Sequence, residues 1–294
     1  MGARILATGV SLDRAVKSSI AHAAIAARAC LEAAGASPDD VDVLIDVGIY
    51  RDANMVEPSM AALVQRELGM HLDYVKYPTG RSGLSFDLMN GASGIPNALG
   101  VARACLATGS ERVLIVSSDA HPSGERVPGF PYASVGAAIL LGREDDPARG
   151  LGRLAVRDDH AGGDSLAGYS VIDDHRGRSR IEVERAPDHE ARILALAASL
   201  AREHLARERL ERTDDVVLVS SQPSPEFSHA LAERLELPAG SAVRIEGVDG
   251  DPHTSALALG YHQARAAGRL GARAVVLFVA AGAGPTAACI VHRA

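Results

Sequence analysis

Tryptophan is absent from the 294 residues, and aromatic side chains of every kind make up 3%. That leaves no stacking platform of the sort that binders of single-stranded nucleic acid present. Lysine is nearly as scarce, with only Lys17 and Lys76, and the net charge is −7. A nucleic-acid partner, which needs a basic face, is therefore not expected. The three cysteines, Cys30, Cys105 and Cys289, are scattered through apolar stretches without CxxC spacing. Neither a disulfide framework nor a thiolate zinc site is expected, and Cys105, well inside a helical pattern, reads as a buried packing residue. No run approaches the roughly 18 apolar residues of a membrane helix, and the N-terminus lacks a signal-peptide pattern. These absences predict a cytoplasmic protein with no membrane partner. With 47% hydrophobic and 23% charged residues, the composition excludes disorder for most of the chain.

What the sequence does contain is an internal repeat. The segment Asp39-Asp40-Val41-Asp42-Val43-Leu44-Ile45 matches Asp214-Asp215-Val216-Val217-Leu218-Val219, each after an Ala- and Arg-rich helical stretch. An amphipathic helix after Pro58-Ser59 parallels one after Pro225. Ala98-Leu99-Gly100 leading to the strand Val113–Val116 parallels Ala258-Leu259-Gly260 leading to Val275–Val279, and the run Gly136–Leu141 answers Thr286–Val291. Short β-branched runs alternating with helices of about ten to twenty residues predict an α/β protein whose strands are buried on both faces. Two copies of one unit follow, over about 1–145 and 187–294, joined by a polar connecting segment at 146–186.

That segment carries two Asp-Asp-His triplets, at 158–160 and 173–175. Consecutive residues on a loop or strand point apart, so they read as solvated turns, and no metal site is expected. Gly91-Ala92-Ser93-Gly94 comes near a nucleophile elbow without the G-x-S-x-G spacing, which leaves serine-hydrolase chemistry unsupported.

In their order, these motifs resemble the thiolase superfamily, and within it the β-ketoacyl-acyl carrier protein synthase III group. Asp42–Ile45 with Glu57-Pro58-Ser59 and Val64–Gly69 is similar to that family's first strand and helix. Phe86-Asp87-Leu88 leading into Ala92-Ser93-Gly94 is similar to its nucleophile turn. Pro252-His253-Thr254-Ser255-Ala256 and Gly282-Ala283-Gly284-Pro285-Thr286 resemble its last catalytic loop and glycine-rich oxyanion turn. The resemblance implies a duplicated thiolase-like fold in five layers, α-β-α-β-α. It also implies acyl-CoA or an acyl carrier protein as substrate with no further cofactor, and association as a homodimer or with a Cys-bearing ketosynthase. Since the family pairs through an edge strand, the apolar strand Val113–Ser117 is expected at that interface.

The resemblance also shows where the chain departs from the family. The nucleophilic cysteine is replaced by Ala92, the histidine of the second motif by Ser221, and the asparagine before Thr-Ser-Ala by His253. A methyl group cannot attack a thioester, so a covalent acyl-cysteine is excluded at this position. His253 is left as the ionisable candidate, expected to be held neutral by a helix N-terminus and able to accept a proton. Ser93, beside Ala92, is a weaker candidate. Ala92 and His253 are expected at corresponding places in the two repeats, with Ala92, Ser93, Ser221, His253, Gly282 and Gly284 lining one cavity. Two functions remain open. One is a degenerate ketosynthase of fatty-acid or polyketide-type secondary metabolism that binds acyl thioesters or completes a partner subunit. The other is an acyltransferase using His253 as general base.

Overall fold

A computed structural model describes residues 2–72, 82–125, 127–173, 177–210, 215–271, 274–282 and 284–294. Asp214, Asp174 and His175 of the second triplet, and Ala283, lie outside the described residues. The N-terminal half carries strands β1 (Gly2–Ser11), β2 (Val43–Asp46), β3 (Leu84–Asp87), β4 (Arg112–Asp119) and β5 (Val135–Glu144) with helices α1 (Ser19–Ala34), α2 (Met60–Leu68) and α3 (Gly94–Ala107). Then come β6 (Gly150–Leu151), β7 (Ala155–Asp158), the hairpin β8 (Leu166–Asp173) and β9 (Gly177–Arg185), and α4 (His189–Arg207). The chain ends with β10 (Val216–Ser220), α5 (Phe227–Arg234), α6 (Ala256–Ala266), β11 (Val275–Gly282) and β12 (Thr286–Arg293).

Local signals set the helix ends. Ser18 caps α1 by accepting the Ala21 N–H, and Gly35 ends it in the left-handed conformation that glycine adopts without cost. Ser59 and Gly69 do the same for α2.

The repeat seen in the sequence is a repeat of topology. The first sheet runs β1-β5-β4-β2-β3, with β2 parallel to β4 and β5 antiparallel to β4 and β1. In the second sheet β10 is parallel to β11, and β12 is antiparallel to β11 and to β7. Thus β7, from the polar segment between the halves, takes the place that β1 holds in the first sheet.

Three apolar clusters fix the layers. Leu44, Leu114 and Leu140 pack outward against Ala23, Ala27 and Leu31 of α1 and Val64 of α2. Ile45, Ile115 and Ile139, on the opposite face, join Leu99 of α3, Leu257 of α6, and Phe278 and Ile290 of the second sheet. Leu277, Cys289 and Val291 face Ile193 and Ala197 of α4 and Leu231 of α5. The order is helices, sheet, helices, sheet, helices, in which α3 and α6 share the central layer. Alternation of side chains along each strand divides it between two cores, which is why these runs are apolar throughout.

Two expectations are corrected. Val113–Ser117 lies inside the first sheet, paired with β2 on one side and β5 on the other, so it offers no free edge; the edge beside β2 is β3. Cys105 is half-buried at the margin of the central core, whereas Cys30 and Cys289 are buried. Among the described residues, no helix is long and apolar enough to cross a membrane.

Asp46, at the end of β2, is fully buried, and neither carboxyl oxygen has a hydrogen-bond partner among the described residues. Burial, and then the charge of Asp87, push its carboxyl well above the usual range. Such a group favours the fold fully below the unfolded-state pKa of about 4, and this contribution is lost as pH rises towards the folded value. In urea melts between pH 5 and pH 8, Asp46→Asn is therefore expected to gain stability relative to the unsubstituted chain as pH increases. A constant difference across that range would contradict this.

Candidate active site

Two 3-10 turns, Gly91–Ser93 leading into α3 and His253–Ser255 leading into α6, pack against each other at the centre of the molecule. Each begins with a residue of positive φ, 49° at Gly91 and 43° at His253. The repeats therefore match Gly91 with His253 and Ala92 with Thr254, one residue away from the correspondence read in the sequence. Gly91 adopts this backbone freely. His253 is strained there, and surrounding contacts must hold it.

Those contacts converge on Asp119, the last residue of β4, which is fully buried. Its Oδ1 accepts the backbone N–H groups of Ile49 (3.2 Å) and Tyr50 (2.8 Å). Its Oδ2 accepts the Thr254 N–H (3.2 Å), the Thr254 hydroxyl (2.5 Å) and His253 Nδ1 (3.1 Å). Asp251 Oδ1 accepts the His253 N–H at 2.8 Å. Tyr132 lies against the imidazole with ring centroids 4.3 Å apart, and Tyr50 stacks on Tyr132 at 4.5 Å.

Burial by itself would raise the Asp119 carboxyl, but the His253 charge and the donated hydrogen bonds outweigh it and hold the group below the usual carboxylate range. Asp119 is thus an ionised acceptor, which assigns the Nδ1 proton to His253 and leaves Nε2 as the exchangeable nitrogen. Burial would lower His253, yet the Asp119 charge and hydrogen bond prevail and raise it. The downward shift expected from a helix dipole is therefore corrected to an upward one: a carboxylate in direct contact outweighs the partial charge of a helix end.

The cavity beside this pair is lined by Ala92, Ser221, His253 and Gly282, together with Arg185 and His189 among others, and has a volume of about 20 Å³. Ser221 Oγ accepts the Ala281 N–H at 3.0 Å. Gly282 is required by close approach, because a Cβ there would lie 2.9 Å from that of Ala92. Ser93 does not line the cavity: it is buried behind the turn, its hydroxyl without a partner among the described residues. Gly284 also lies outside the lining.

Sequence reasoning missed Asp119, Tyr132, Asp251, Arg185 and His189. The first carried a legible signal, a carboxylate closing the wholly apolar run Val113–Val116. His189 is bonded through Nδ1 to Ser165 at 2.8 Å, and burial, then Arg185 and Arg192, push it down to about 4. Burial pushes the Asp251 carboxyl up to about 6, offset in part by His253.

A duplicated five-layer fold with paired helix starts facing one central cavity is the thiolase-like architecture. Solved structures agree across nearly the full length. A 3-oxoacyl-(acyl carrier protein) synthase III from Pseudomonas aeruginosa superposes with a TM-score of 0.81 at 20% identity, covering 100% of this chain and 98% of the other. The priming β-ketosynthase of the R1128 polyketide pathway gives 0.81 at 21% identity over 99% and 96%. In sequence, the β-ketoacyl-[acyl-carrier-protein] synthase III of Methylococcus capsulatus is 26% identical over 89% of this chain and 79% of its own length. That of Granulibacter bethesdensis is 27% identical over 94% and 84%. No family model matches the chain. The chain is a homologue of the β-ketoacyl-[acyl-carrier-protein] synthases III.

Removing the Asp119 charge has a directional consequence. In Asp119→Asn, the His253 pKa followed by NMR titration is expected to fall below that of the unsubstituted protein, since burial then acts without the opposing charge. A His253 titration unchanged by the substitution would contradict the pairing.

Proposed function

We propose that this chain is a synthase III-type protein of fatty-acid or polyketide-like biosynthesis that holds an acyl thioester, from acyl-CoA or an acyl carrier protein, without forming an acyl-cysteine. The observation that carries this reading is Ala92 at the turn facing the cavity, with His253 across from it and no thiol among the lining residues. In the family resemblance a cysteine at that turn is the nucleophile. Here the turn, the close approach of Gly282 and the two helix starts surround a methyl group. First-turn N–H groups lack intrahelical acceptors, so this geometry suits the carbonyl oxygen of a thioester. Association with a second copy, or with a Cys-bearing ketosynthase, fits the edge strand β3, where Leu84 is 57% exposed and, among the described residues, the Leu84–Asp87 backbone has a strand neighbour on only one side.

A second reading is direct acyl transfer with His253 as general base. It is favoured by the Asp119–His253 pair, because a carboxylate on Nδ1 fixes the ring and leaves Nε2 for proton transfer.

Restoring the thiol tests the site. Ala92→Cys, incubated with acyl-CoA and read by peptide mass mapping, is expected to carry an acyl group at residue 92, forming about tenfold or more faster than any adduct at half-buried Cys105. An unreactive thiol at residue 92 in a folded variant would contradict a thioester site.

A further inference from the structure

We infer that a second cavity, separated from the first by Tyr132, binds a free α-amino acid with an apolar side chain, its carboxylate held by Arg14 and Lys17 and its ammonium group by Glu125. The inference stands apart from the thioester reading, since Tyr132 is the single residue that lines both cavities.

The second cavity lies where three stretches of chain meet: the loop between β1 and α1, the loop between β4 and β5, and Gly247–Gly250 ahead of the His253 turn. Its volume is about 250 Å³, far larger than the 20 Å³ beside His253. That lies just below the range of about 300–1,000 Å³ usual for drug-sized ligands, which points to an occupant of amino-acid size. Leu12, Val127, Phe130 and Val248 give it an apolar wall. Phe130 is braced edge-on by Tyr50 and His121, with ring centroids 5.2 and 5.0 Å away.

Opposite charges line this cavity without pairing. Arg14 and Glu125 both face it, yet among the described residues neither side chain has an ion pair or hydrogen bond. Lys17 donates one ammonium proton to the Arg14 carbonyl at 2.9 Å and keeps two. Both charged loops are built turns. Asp13 accepts the Ala15 N–H on its carboxylate at 2.9 Å and the Val16 N–H on its carbonyl at 3.0 Å. Across the cavity, the Gly124 N–H donates to the His121 carbonyl at 2.9 Å and the Glu125 N–H to the Ser123 hydroxyl at 3.3 Å.

Neutral donors add to the cations. His121 Nδ1 accepts the Ser123 hydroxyl at 2.7 Å and the Ser123 N–H at 3.2 Å. Burial lowers its titration, so the ring is neutral with its one proton on Nε2, which has no partner among the described residues. Ser134, also on the lining, has a buried hydroxyl without a partner among the described residues.

This donor and acceptor set selects the class of ligand. A plain carboxylate would set like charge against Glu125, a plain amine would set it against Arg14 and Lys17, and a hydrocarbon would meet neither sign. An apolar amino acid meets both, with a guanidinium suited to bidentate contact with its carboxylate. Asp249, the other acid on the lining, is already engaged, which leaves the ammonium group to Glu125.

The experiment titrates the whole chain with L-leucine and with L-phenylalanine by calorimetry, alongside two single-charge analogues of leucine, 4-methylpentanoate and 3-methylbutylamine. At least one amino acid is expected to bind about tenfold or more tighter than either analogue. Arg14→Gln and Glu125→Gln, both at exposed positions, are each expected to weaken that binding about tenfold. The Tyr132 ring resonances are expected to move at saturation. Equal binding of 4-methylpentanoate or of 3-methylbutylamine would overturn the amino-acid assignment. Binding that neither substitution weakens and that leaves Tyr132 unmoved would place the ligand elsewhere and overturn the site, and absence of binding at millimolar concentration would overturn the proposal outright. None of these results bears on acylation of Ala92→Cys, which tests the thioester reading separately.

Discussion

The buried carboxylate of Asp119 is the interaction on which the rest of the site depends. It closes β4 in the first half of the chain and binds the turn that opens α6 in the second, so one charge joins the two repeats at their shared centre. It also supplies acceptors for the backbone after β2, where Ile49 and Tyr50 leave the sheet. A buried charge is tolerated only when its hydrogen-bonding capacity is filled, and leaving such donors or acceptors unmet costs about 1–3 kcal/mol each. The strained backbone at His253 is held by the same contacts, which links fold stability directly to the placement of the one imidazole aimed across the cavity at the Gly91–Ser93 turn.

Around that point the duplication does the structural work. Each half brings a sheet with a parallel strand pair against one shared central layer, to which it contributes one helix, α3 or α6, and the helices start where the sheets face each other. The apolar clusters that fix this arrangement, Ile45 and Leu99 from one half with Leu257 and Phe278 from the other, do not involve the residues at the turns. The architecture therefore does not depend on the side chains at the turns, where this chain carries alanine and histidine and the family resemblance implies cysteine and asparagine.

This division explains what was legible in the sequence. The strand runs Val43–Ile45, Val113–Val116 and Val275–Val279 and the capped helix at Ser59 follow from local pattern, and laying the halves side by side yields the layered fold. That Ala92 and His253 meet at one cavity was legible from the repeat, and that Ser221 and Gly282 join them there was legible only through the family resemblance. Ser93 and Gly284 were misplaced since neighbouring residues on a tight turn point in different directions, which spacing does not encode. The contribution of β7 to the second sheet was hidden in a polar, short strand with one exposed face, Val156 being 45% exposed. The direction in which the His253 titration shifts was out of reach because it depends on Asp119, 134 residues away in sequence, and contacts of that separation leave no trace in local composition.

The central claim is that acyl chemistry at this cavity proceeds without a covalent acyl-enzyme. The most direct test is intact-mass spectrometry of the unsubstituted chain, mixed with excess acyl-CoA and acid-quenched on the millisecond to second scale. The account predicts a protein mass unchanged at every time point. A stoichiometric mass gain of one acyl group, mapped to a residue lining the cavity, would contradict it.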